Sequence, residues 1–122
     1  MAQTITERPQ VLSADSLKNE KVVNAAGENL GNIKDYMIDL DNGSVAYCVL
    51  SFGGVLGMGE KLFAVPFQAM TLDTERHCFI LNVDKERLKK APGFDKDNWP
   101  GTHDRVFQSE VYSFYNVRPY WE

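Results

Sequence analysis

The stretch LGNIKDYMIDLDNGSVAYCVLSF, residues 30–52, decides the fold. Two apolar runs, 30–40 and 45–52, flank Asp41-Asn42-Gly43. Asn-Gly between such runs is the strongest short-range hairpin signal, because both residues tolerate the positive φ that a type I′ turn requires. In the second run Ala46, Cys48, Leu50 and Phe52 alternate onto one face, while Val45, Tyr47 and Val49 fall on the other. Both faces are therefore apolar, and such a strand must be covered on both sides. This predicts a closed barrel with something packed against its outside.

Strand signals continue on either side of this hairpin. Gly53 and Gly54 break the second run, and after a glycine-rich loop residues 61–67 read as a strand with Phe63, Val65 and Phe67 alternating. Pro66 cannot donate to a ladder, so this strand ends or lies at an edge there. Residues 78–83 form the last clear strand, with Phe79, Leu81 and Val83 on one side. Upstream, residues 21–24 are a short β-branched run closed by the turn Ala25-Ala26-Gly27-Glu28, and Ser13 can cap one helical turn over 14–18 anchored by Leu17. The first ten residues have no period and contain Pro9, which reads as a flexible lead-in. Downstream, Asp84 can cap a helix over 85–91 that stops at Pro92-Gly93. Thr102 can cap a second helix, whose Phe107, Val111, Phe114 and Tyr115 recur at i, i+4, i+7 and i+8. The expected fold is mainly β: a small closed antiparallel β-barrel of five or six strands with two short C-terminal helices. Its divisions are a lead-in over 1–10, a barrel domain over 11–94, and a linker, helix and aromatic tail over 95–122. That tail packs either on the barrel or on a second subunit.

Composition narrows the function. With 122 residues the chain suits one domain, and 43% apolar and 25% charged residues are ordinary for a globular one. A net charge of −4 is the wrong sign for a dedicated nucleic-acid binder. The densest basic run, Lys85 to Lys90, is diluted by Glu86. Two cysteines, Cys48 and Cys78, are too few for a disulfide scaffold. No apolar stretch approaches the roughly 20 residues that cross a membrane, so no membrane insertion is expected. The polar start lacks the apolar core of a signal peptide. The expected compartment is the reducing cytoplasm.

The chemical candidates fall short of their motifs. In GGVLGMGEK, residues 53–61, Gly54 and Gly59 have phosphate-loop spacing, yet Glu60 stands where the lysine belongs and no Ser or Thr follows Lys61. The stretch reads as a turn between strands, and its Val55, Leu56 and Met58 are candidate contacts for a partner. Asp35, Asp39 and Asp41 suggest a calcium loop, but Leu50 occupies the position that needs a bidentate glutamate. His77, His103, Cys48 and Cys78 contain no pair at zinc-site spacing. A Cys–His dyad assembled through space would be the one route to catalysis. The aromatic end, with Tyr120 and Trp121, is either an interface anchor or a cover for the barrel's outer face.

The residues from Lys21 to Phe94 resemble the PRC-barrel family. The resemblance is carried by Val22-Val23-Asn24, Gly27-Glu28, Leu30-Gly31-Asn32-Ile33-Lys34-Asp35, Phe52-Gly53-Gly54, Val65-Pro66-Phe67 and Ala91-Pro92. The tail from Tyr115 to Trp121 is similar to the ending of free-standing bacterial members. Better-understood relatives are the photosynthetic reaction-centre H subunit and a ribosome maturation factor, and a shared fold does not transfer their partners. The resemblance implies a binding or assembly module with no catalytic residues to carry over, and no metal- or cofactor-binding residue is expected. The expected function is a non-enzymatic assembly module, a homo-oligomer that docks on an unidentified protein. Candidate contacts are Val55, Leu56, Met58, Tyr120 and Trp121. The alternatives are an RNA- or ribosome-associated protein and an enzyme using Cys48 or Cys78.

Overall fold

A computed structural model describes residues 9–53 and 60–122. The hairpin forms where the sequence places it, by a different turn. Strands β2 (Asn29–Asp39) and β3 (Ser44–Gly53) are antiparallel, and their last pair is Asp39 with Ser44, leaving a four-residue loop. Gly43 takes the left-handed conformation at φ +70°, and Asn42 does not, so the turn is not type I′. The Asp39 side chain explains the difference. Its Oδ1 accepts from the amides of Asp41 at 2.9 Å and Asn42 at 3.2 Å, while the Gly43 amide donates to the Asp39 carbonyl at 2.8 Å. An aspartate that satisfies its own turn's amides favours the longer loop.

The described residues form one seven-stranded sheet in the order β5-β6-β1-β2-β3-β4-β7. The other strands are β1 (Lys21–Val23), β4 (Glu60–Val65), β5 (Met70–Asp73), β6 (Cys78–Leu81) and β7 (Gly93–Asp95). This corrects the expected five or six strands in a closed antiparallel barrel on three counts. There are seven strands, β1 runs parallel to β6, and β5 and β7 do not pair with each other. Strand β4 ends before Pro66, which has no amide to donate and leads into a 3₁₀ turn over Phe67–Ala69. The free edge of β4 is taken instead by β7, from Lys61 to Phe63.

The sheet curls far enough for its inner face to form one core. Val22, Ile33, Leu50, Phe63, Val65, Phe79 and Leu81 pack together there. The outer face has its own cluster, Ala46, Tyr47, Val49, Leu62 and Ala64, covered by Val111 and Tyr112. Burial of β3 on both faces, as read from its sequence, is therefore present. The β2–β3 register shifts twice, first on β2 at Lys34, between the pairs Ile33–Leu50 and Asp35–Val49, and then on β3. Met37 pairs with Tyr47 but Ile38 with Val45, so Ala46 is an extra residue in a β-bulge. The bulge turns Ala46 to the outer cluster rather than to the side of Cys48 and Leu50.

Two helices follow the sheet. Helix α1 (Lys85–Leu88) is shorter than the predicted 85–91, and Asp84 caps it by accepting from the Arg87 amide at 2.8 Å. Helix α2 (Arg105–Phe114) is capped by Asp104 rather than Thr102, through the Phe107 amide at 2.9 Å. Full burial of a side chain such as Val111 contributes about 1.5–3 kcal/mol. Asn116, at φ +58°, ends the helix, and the Val117 amide donates to the Tyr112 carbonyl at 2.9 Å. This turn sends the last residues back over α2's own buried face.

Candidate interaction site

The hairpin tip and the chain end meet at Asp39. While its Oδ1 holds the turn, its Oδ2 accepts a hydrogen bond from the Tyr120 hydroxyl. The Arg105 guanidinium lies 3.9 Å from the same oxygen and stacks 4.3 Å from the centre of the Trp121 ring. The bond from Tyr120, the two turn amides and Arg105 together outweigh desolvation and hold the Asp39 carboxyl below its ordinary value. Tyr120 and Trp121 are each half-buried, and both rings contact Tyr112, at centroid distances of 5.9 and 5.2 Å. Tyr112 is fully buried and donates its hydroxyl to the Ala46 carbonyl at 2.7 Å, at the bulge. The rings of the tail thus rest on Tyr112 of α2 and on the hairpin turn at Asp39.

The other sequence candidates sort as follows. Val55, Leu56 and Met58, and the glycine-rich stretch from Gly54 to Gly59, lie outside the described residues. Cys48 and Cys78 are buried free thiols. Burial pushes the Cys48 thiol up, away from the thiolate that a nucleophile or metal ligand needs. His77 sits exposed in the β5–β6 turn at φ +55°. Among the described residues no three His, Cys, Asp or Glu side chains cluster to hold a metal ion. The basic run of α1 is partly consumed internally. Arg87 donates to the Phe114 carbonyl at 2.8 Å and stacks on that ring, and Lys89 pairs with Glu86. No helix among the described residues is long and apolar enough to cross a membrane.

Sequence reading missed the surface that this junction borders at the tip. Ile38 is 51% exposed and Leu40 92% exposed. Beside them runs a cleft of about 540 Å³ between the hairpin and the loop before α2, lined by Met37, Tyr47, Pro100, His103 and Tyr120 among others. The signal was present in the sequence: Leu40 is an apolar residue inside an Asp-Leu-Asp-Asn-Gly turn, where polar residues are the rule. Counting it as the end of a strand concealed it.

These features define a curled seven-stranded β domain, sheathed on its outer face by its own C-terminal helix and tail. Compared with known families, residues 9–88 match the PRC-barrel domain, and the chain belongs to that family. No curated protein matches it by sequence.

Proposed function

We propose that the chain is a non-enzymatic assembly module that acts through protein–protein contact, with another protein or with copies of itself. The exposed apolar tip at Ile38 and Leu40 carries this reading. Water-exposed aliphatic groups on a braced turn, next to a cleft, suit recognition. Membership of the PRC-barrel family supports it. The state of Cys48 supports it too, because a buried thiol with a raised pKa is unsuited to attack a substrate.

Native mass spectrometry of the protein isolated gently from its own cells tests the proposal. The expected result is a mass above the 13.8 kDa chain, as a multiple of it or with added protein. A bare chain at every concentration, together with rapid alkylation of Cys48 by iodoacetamide in the folded protein, would favour chemistry over docking.

A further inference from the structure

We infer that the cleft at the hairpin tip binds a short extended segment of a partner protein, presenting one apolar anchor flanked by Lys or Arg. This rests on the docking reading above and specifies its surface and partner chemistry. The size of the surface selects the occupant. A stable dimer buries roughly 800 Å² on each partner, and two exposed aliphatic side chains cannot supply that. A cleft of about 540 Å³ can accept an anchoring side chain and its neighbours.

Charge sets the flanking residues. The Asp41 carboxylate is exposed at the tip and makes no hydrogen bond or ion pair within the described chain. The one arginine lining the cleft, Arg105, is already committed: its guanidinium faces Asp39, donates to Gln108 at 3.0 Å and covers Trp121. The charge left for a ligand is therefore negative, which favours a cationic segment and opposes nucleic acid. The site is also pre-organised. Asp39 fixes the turn and Tyr120 fixes the cleft wall, so little ordering is required on binding.

Panning a phage-displayed library of random 12-residue peptides on the full chain tests this. Enriched peptides should share one Leu, Ile, Phe or Trp with Lys or Arg within two positions. Their binding should fall at least tenfold in Leu40→Asp and Asp41→Lys, and stay unchanged in Val106→Asp, an exposed control on α2. Equal enrichment on Leu40→Asp, or selection of acidic flanks, would overturn the inference. Photo-crosslinking in cells, with benzoylphenylalanine at position 40 or 106, separates this inference from the docking reading. An adduct at 40 whose linked segment has the basic–apolar pattern supports both. An adduct at 106 alone overturns the site and leaves the docking reading standing, and no adduct at either position overturns both.

Discussion

Three side chains show how closely single residues are constrained. Asn24 is buried, and all its polar capacity is used. Its Nδ2 donates to Glu28 Oε1 at 2.7 Å and to the Val83 carbonyl at 3.2 Å, while its Oδ1 accepts from the amides of Ala26 and Glu28. It thus closes the β1–β2 turn and ties it to the segment between β6 and α1. Asn24→Ala would leave several of these groups without partners and should cost about 3 kcal/mol in urea unfolding. Gly31 is constrained by space: at φ +124°, a Cβ there would lie 2.0 Å from the Ser51 carbonyl oxygen. That neighbour is backbone and cannot swing aside. Gly31→Ala should destabilise by at least about 3 kcal/mol, and a variant with an unchanged urea midpoint would refute the close approach. Tyr115 presents the opposite case. Its hydroxyl is buried without a partner, and burial raises its pKa. Removing an unpaired buried hydroxyl relieves its desolvation, so Tyr115→Phe should be neutral or stabilising by about 1 kcal/mol. A loss of stability in that variant would show that the hydroxyl has a partner in solution.

At the scale of elements, the β2–β3 hairpin and the C-terminal tail act as one unit through Asp39. The carboxylate accepts from Tyr120 and the turn amides more strongly when ionised, which is why its folded pKa lies below the ordinary 3.8. A depressed pKa stabilises the docked tail above the unfolded value, and that contribution is lost as pH falls through the folded value. Tail release is therefore expected only at pH below 3.8. Trp121 reports it, since the ring lies against Arg105 and Tyr112. In a Trp99→Phe background its fluorescence should change in an acid transition, and Tyr120→Phe should move that transition to higher pH. An unmoved transition would show that Asp39 does not hold the tail. This junction also marks where sequence reading stopped. Asn-Gly located the hairpin, but the turn type depended on Asp39, whose bonds to two amides have no signature in alternation. Strands β5 and β7 escaped because Met-Thr-Leu-Asp and Gly-Phe-Asp are too short to show a period. The parallel pairing of β1 with β6 joins segments more than fifty residues apart. The Ala46 bulge shifted the strand phase by one, which strict alternation cannot anticipate.

At the scale of the whole molecule, a sheet with two apolar faces needs two covers, and they come from different parts of the chain. The inner face covers itself by curling, so that residues of β1, β3, β4 and β6 share one core. The outer face cannot do this. Tyr47, Val49, Leu62 and Ala64 would meet water without Val111 and Tyr112 of α2, and Tyr112 is in turn overlain by Tyr120 and Trp121. The outer cover lies beyond residue 88, past the span that matches the PRC-barrel domain. The aromatic ending noted in the sequence thus lies in this second layer, while Ile38 and Leu40 at the hairpin tip stay exposed. A chain ended after Asn98 keeps all seven described strands but loses that layer. It should bind the dye ANS and self-associate at micromolar concentration, as exposed contiguous apolar surface does, whereas the full chain should do neither through this face. Ending the chain after Asn116 removes only Tyr120, Trp121 and their neighbours, so it should give an intermediate result: a folded sheet with a lowered melting temperature and weak dye binding. If the shorter chain instead unfolded cooperatively at the full-length midpoint, α2 and the tail would be an appendage rather than a layer of the fold.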